Sequence, residues 1–144
     1  MGSEMCIRDR VKLVTLQSYQ ESNGDLVIAE SLSNEIPFAI KRVFNVRASN
    51  INDVRGKHAH KLCSQLLICT NGAIEVYCDN VLETKLFHLN KANFGLLIPP
   101  GVWSEQKYVS ENSVLTVLCD QFYDENDYIR DYEEFKLFLN NKNG

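Results

Sequence analysis

Apolar and polar residues alternate along this chain in short runs, and turn residues cut the runs at regular intervals. Period-two runs bounded by Gly, Asn, Asp or Pro read as β-strands. Strands are expected at residues 11–16, 26–30, 38–46, 61–70, 73–79, 83–89, 94–98, 102–108 and 113–120. Within 38–46, Phe38, Ile40, Arg42, Phe44 and Val46 are placed on one face by the alternation. Asn71-Gly72 and Asp79-Asn80 are turn dipeptides, and Pro99-Pro100-Gly101 cannot continue a hydrogen-bonded ladder. Residues 47–57 read as a polar loop. From Asp127 the spacing changes: Tyr128, Ile129, Tyr132, Phe135 and Leu139 fall at helical intervals. The pattern predicts an all-β barrel or sandwich closed by one C-terminal helix.

The chain has 144 residues, which suits one domain. The opening decapeptide MGSEMCIRDR shows neither strand nor helix periodicity. It reads as a tag, a disordered segment or a sequencing artefact, so residues 1–10 are set apart from a single domain at 11–144. A net charge of -4 and scattered Lys and Arg give no basis for nucleic-acid binding. No apolar run approaches the roughly 18 residues of a membrane span, and no secretory leader is visible. Five cysteines without CxxC spacing argue against a disulfide framework or a zinc ribbon. Cys63, Cys69, Cys78 and Cys119 sit among apolar residues and read as reduced core thiols of a cytoplasmic protein.

The segment richest in chemistry is Arg55-Gly56-Lys57-His58-Ala59-His60-Lys61, followed by Gln65 and Gly72. In a strand, residues i and i+2 share a face, so His58 and His60 are expected to project together. The third histidine, His88, has no such frame. The spacing matches the first cupin motif, HxH followed by Glu and Gly, with Gln65 where metal-binding cupins carry Glu. The second motif arrives at Pro99–Trp103, but Ser104 stands where those cupins carry a third His. An amide and a hydroxyl are weak ligands for a transition metal. The expectation is a cupin pocket with no metal and no cofactor. Two paired imidazoles then suit proton transfer, because free histidine titrates near operating pH.

With these residues in view, the chain resembles the dTDP-4-oxo-6-deoxyglucose 3,4-ketoisomerases, the WxcM-like cupins of deoxysugar biosynthesis. The stretches that carry the resemblance are PFAIKRV at 37–43, RGKHAHK at 55–61, Gln65 with LLICTNG at 66–72, GLLIPPGVW at 95–103 and YDENDYIRDYEEF at 123–135. The resemblance implies a cupin jelly roll, a homodimer, and a dTDP-linked 4-keto-6-deoxyhexose as substrate. It implies His58 and His60 as the acid/base pair, with Lys41 and Arg42 matching the family's Lys-Arg pair and Arg55 its Arg before Gly. A guanidinium fork suits diphosphate, so Arg42 or Arg55 is expected to hold it. Lys61, Gln65, Trp103 and Glu105 complete the candidate substrate-binding set. The chain departs from the family pattern at Ser104, Asn23 and Asn45, which leaves open the stereochemistry at C4 of the product. A non-catalytic sugar-nucleotide-binding module and a metal cupin remain as alternatives at this stage.

Overall fold

The computed structural model describes residues 7–143. In chain order the elements are α1 (Ile7–Arg10), β1 (Lys12–Thr15), β2 (Gln17–Glu21), β3 (Gly24–Ile28), β4 (Arg42–Arg47), β5 (Val54–His60) and β6 (Gln65–Asn71). There follow β7 (Ile74–Asp79), β8 (Thr84–Leu89), β9 (Phe94–Ile98), β10 (Trp103–Tyr108), β11 (Val114–Cys119), β12 (Tyr128–Ile129) and α2 (Tyr132–Asn143). Two five-stranded antiparallel sheets, ordered β1-β9-β6-β11-β4 and β12-β5-β10-β7-β8, enclose the core. This is the expected all-β cupin barrel with its C-terminal helix.

Strand alternation sorts the apolar residues into three layers. Leu67, Cys69, Val76, Cys78, Leu96, Leu115, Val117 and Cys119 point between the sheets and form the main core. Leu66, Ile68 and Leu118 point outward from the first sheet and are covered by Leu16, Ile36, Phe38 and Ile40. Ala59, Trp103 and Ile129 point outward from the second sheet and are covered by Phe135, Tyr132 and Leu139 of α2. Phe135 is fully buried, so this helix is anchored by side-chain packing.

Several boundaries differ from the pattern-based reading. Residues 38–41 lie outside β4, and Phe38 and Ile40 cover an outer face while Phe44 and Val46 pack on the main core. The face assignment across 38–46 is corrected accordingly, since a strand's period holds only while the ladder lasts. Residues 54–57, expected in a loop, belong to β5, and residues 61–64, expected in a strand, form a turn before β6. The polar run 17–21 is a strand after all, paired with β3 in a hairpin of its own. All five residues of β2 are exposed, so no buried face imposes an apolar alternation. Asp127 and Tyr128 are not helical: Glu125–Asp127 is a 3₁₀ turn and α2 starts only at Tyr132.

At the N-terminus, Ile7–Arg10 forms one helical turn, with Ile7 buried in the core and Arg10 Nη2 donating to the Pro100 carbonyl at 2.7 Å. The set-apart segment therefore contributes its last residues to the fold, while residues 1–6 and Cys6 lie outside the described residues. Cys63, Cys69, Cys78 and Cys119 are free and buried, as expected. No helix among the described residues is long and apolar enough to cross a membrane.

Candidate active site

The site is built on the inner face of β5, β10 and β12. Ser104 of β10 pairs with His58, but Glu105 pairs with Gly56, so β5 carries a bulge at Gly56-Lys57. Gly56 has φ +94° and Lys57 φ +53°. The conformation favours glycine, and a Cβ at Gly56 would displace the Gln106 carboxamide. The bulge brings Arg55 and His58 to the same side although they are three apart. Beyond it normal alternation resumes, and His58 and His60 share the inner face, with ring centroids 5.0 Å apart and planes perpendicular.

Arg55, Gly56, His58, Gln65, Phe44, Gln106, Tyr108, Tyr128 and Arg130 line a cavity of about 250 Å³. Ligand pockets for whole drug-sized molecules run to about 300–1,000 Å³, so this volume suits one part of a larger ligand. His58 lies on the cavity wall, and His60 lies behind it beside Tyr128, whose ring is 5.1 Å from His58 and 4.4 Å from His60.

Hydrogen bonds define the protonation of both rings. His58 Nδ1 lies 2.9 Å from the Gly56 carbonyl, which can only accept, so Nδ1 carries the proton and neutral His58 keeps a bare Nε2. Burial lowers the His58 pKa from 6.5 to about 4, the Gly56 carbonyl opposing and His60 adding to the effect. His60 Nδ1 lies 2.8 Å from Asp127 Oδ2, which fixes the same tautomer. Burial also lowers the His60 pKa, against the attraction of Asp127. The His60 Nε2 is buried without a hydrogen-bond partner. Asp127 is itself pinned, since its Oδ1 accepts from the Leu62 amide at 2.6 Å and its backbone oxygen from the Lys61 amide at 2.9 Å.

Of the sequence-predicted residues, His58, Arg55 and Gln65 meet at the cavity, with His60 immediately behind. The Gln65 amide contacts Cys119 Sγ at 3.5 Å. Arg42 sits beside the cavity, its Nη1 3.4 Å from the Tyr128 hydroxyl and its guanidinium against Phe44 and Tyr123. Trp103 and Glu105 are not brought to the cavity. They lie on the opposite face, where Trp103 Nε1 donates to Glu105 Oε2 at 2.9 Å and the indole packs on Tyr132 and Phe135. Lys61 is exposed and does not line the cavity.

Sequence reading missed Asp127, Tyr128 and Arg130 as site residues. Tyr128 pairs with His60 in register, so Tyr128 faces inward and Ile129 outward. The inward pair Tyr128 and Arg130 stands two apart around an apolar residue. That period-two signal was masked by the helical spacing downstream. Arg130 is held by Glu125 through Nε at 2.8 Å and stacks over the Tyr128 ring at 4.3 Å. At the metal position of ordinary cupins, Ser104 is occupied as acceptor for Gln106 Nε2 at 3.0 Å, and Gln65 offers only an amide. That donor set does not fit a cupin metal.

Comparison with known proteins agrees with this geometry. Residues 9–140 match the family model described as FdtA: WxcM-like, C-terminal. The TDP-4-oxo-6-deoxy-alpha-D-glucose-3,4-oxoisomerase of Aneurinibacillus thermoaerophilus is 38% identical over 128 residues, 89% of this chain and 91% of that protein. The sugar 3,4-ketoisomerase QdtA of Thermoanaerobacterium thermosaccharolyticum, solved in complex with TDP, superposes with a TM-score of 0.89 at 34% identity, covering 94% of this chain and 98% of that one. The TDP-quinovose 3,4-ketoisomerase WlaRB of Campylobacter jejuni gives a TM-score of 0.80 at 35% identity over 87% of this chain and 95% of that one. The chain belongs to the WxcM-like family of sugar 3,4-ketoisomerases.

Proposed function

We propose that this protein is an isomerase that moves the keto group of a dTDP-linked 4-keto-6-deoxyhexose from C4 to C3 by histidine-mediated proton transfer. The observation that carries the reading is the pair of neutral imidazoles, each with Nδ1 committed to a fixed acceptor and Nε2 left bare. The C4 ketone acidifies the hydrogen on C3. His58 Nε2, on the cavity wall, removes that proton and leaves an enediolate. The proton returns to C4, and the hydroxyl proton passes from the C3 oxygen to the C4 oxygen, giving the 3-keto sugar. His60 serves this second transfer, with Asp127 stabilising its imidazolium when it forms. The Tyr128 ring packs against both imidazoles and holds their arrangement.

A base with a pKa of about 4 stays unprotonated at neutral pH. The negative charge of a bound diphosphate raises that value toward the working range. Arg55 and Arg130 put guanidinium groups on the cavity wall, suited to diphosphate oxygens or to the developing enediolate charge. The cavity volume suits the deoxyhexose, with the nucleotide lying across the rim. The protein acts as a homodimer in the cytoplasm in this reading, and it needs no metal for the step. Proton NMR of the products formed from dTDP-4-keto-6-deoxyglucose tests it. A dTDP-3-keto-6-deoxyhexose is the expected product and its C4 configuration is read directly. Unchanged substrate with retained dTDP binding would instead establish the non-catalytic binding module.

A further inference from the structure

Behind the cavity, two donor side chains from the end of β5 and the turn after it converge with a third from the 3₁₀ turn before β12. One donor atom each from His60, Cys63 and Asp127 lies within 4.8 Å of the others, and all three residues are buried. Backbone bonds bring them there. β5 ends at His60, the chain turns through Lys61–Ser64, and the Lys61 and Leu62 amides both donate to Asp127. Cys63 is therefore folded back toward the ring three positions past the strand end. His60 Nδ1 lies 2.8 Å from Asp127 Oδ2, so Nδ1 is the imidazole nitrogen that can share an ion with this carboxylate.

We propose that His60, Cys63 and Asp127 form a binding site for a single thiophilic divalent cation of the zinc type. An imidazole, a thiolate and a carboxylate make a borderline-soft donor set, which favours Zn²⁺, Co²⁺ or Cd²⁺ over Mg²⁺ or Ca²⁺. Zinc bonds of about 2.0–2.3 Å place tetrahedral donors about 3.5 Å apart, so closure needs donor shifts of about 1 Å. Side-chain rotation supplies shifts of that size. The Cys63 thiol, which donates to the Ser64 carbonyl at 3.3 Å, releases its proton on binding, the His60 Nδ1 proton moves to Nε2 or leaves, and affinity rises with pH. The site lies off the ordinary cupin metal position, whose remaining places are Gln65 and Ser104. One consequence rests on the proposed isomerase reading: an ion on these donors ties up His60 and Asp127 and stops turnover.

The test uses the full chain, stripped with chelator and titrated with Co²⁺ and then Zn²⁺. The site predicts one ion per chain, a thiolate-to-cobalt charge-transfer absorption, and loss of that absorption in Cys63→Ser with at least tenfold weaker Zn²⁺ binding. Cys63→Ser in chelator is expected to keep the wild-type rate and to resist Zn²⁺ concentrations that inhibit wild type. Should serine impair folding, as judged by thermal melting, Cys63→Ala gives the same readouts with an apolar side chain. Absence of the thiolate absorption, or equal Zn²⁺ affinity with and without Cys63, overturns the site. Metal binding with the expected absorption but without any isomerase activity would leave the site standing and refute the isomerase reading alone.

Discussion

The two faces of β5 and β10 are written in the same few residues yet do opposite work. Inward, Arg55, His58, His60, Ser104 and Gln106 make a polar wall with a bulge, strained backbone and imidazoles held neutral by burial. Outward, Ala59 and Trp103, one residue displaced from these, make an apolar seat for Phe135 and Tyr132 of α2. One face spends conformational freedom to aim functional groups. The other supplies packing that keeps the strands in place while it does so. The sharp prediction is that function and stability separate by face.

The largest effect is expected from His58→Asn. Loss of the general base should lower turnover by about 10²–10⁴-fold while nucleotide binding, followed by calorimetry, stays near wild type. Phe135→Ala tests the other face. It empties a fully buried aromatic site and should cost about 3–5 kcal/mol in denaturant unfolding, with the rate per folded molecule preserved. Gly56→Ala should breach the separation. It forces a Cβ into Gln106 at φ +94°, costing about 1–3 kcal/mol and lowering the rate because His58 and Arg55 are re-aimed.

pH dependence sharpens the inner face. Because the folded His58 pKa is depressed from 6.5 to about 4, the unfolded chain takes up a proton that the folded chain refuses. The stability conferred by neutral His58 is complete above about pH 6.5 and is lost progressively as pH falls toward 4. His58→Asn should flatten that part of the stability profile, measured by urea unfolding at stepped pH. The acid limb of kcat/KM in the free enzyme should likewise fall near pH 4 rather than 6.5. The smallest effect is expected from Trp103→Phe, which removes the part-buried hydrogen bond to Glu105 and should change stability by about 1 kcal/mol with turnover intact. A large loss of turnover there would show that the outer face reaches the substrate after all.

Much of this arrangement was legible in the sequence. The regular spacing of short alternating runs was enough for the barrel, and the i, i+2 spacing of His58 and His60 was enough for a shared face. The signal failed where local periodicity stops describing the backbone. The Gly56-Lys57 bulge lies inside a segment that reads as polar loop, so the co-facing of Arg55 and His58 has no simple spacing rule. Trp103 and Glu105 alternate with each other as expected, but alternation alone does not say which of two faces is the inner one. Ser104, paired to His58, decides it. Asp127 and Tyr128 carried a helical spacing that was real for Tyr132 and Phe135 but overextended by five residues. Their shared partner, His60, lies 67 and 68 positions away in sequence, too far for any local pattern to reveal the pairing.

The central claim is that His58 moves a carbon-bound proton. Incubating the wild-type protein and His58→Asn with dTDP-4-keto-6-deoxyglucose in heavy water, and following deuterium by NMR, tests it most directly. The account predicts deuterium on the sugar carbons and a 3-keto product with wild type, and neither with the variant. Exchange at the wild-type rate without the imidazole, or no exchange in the wild-type protein, would contradict it.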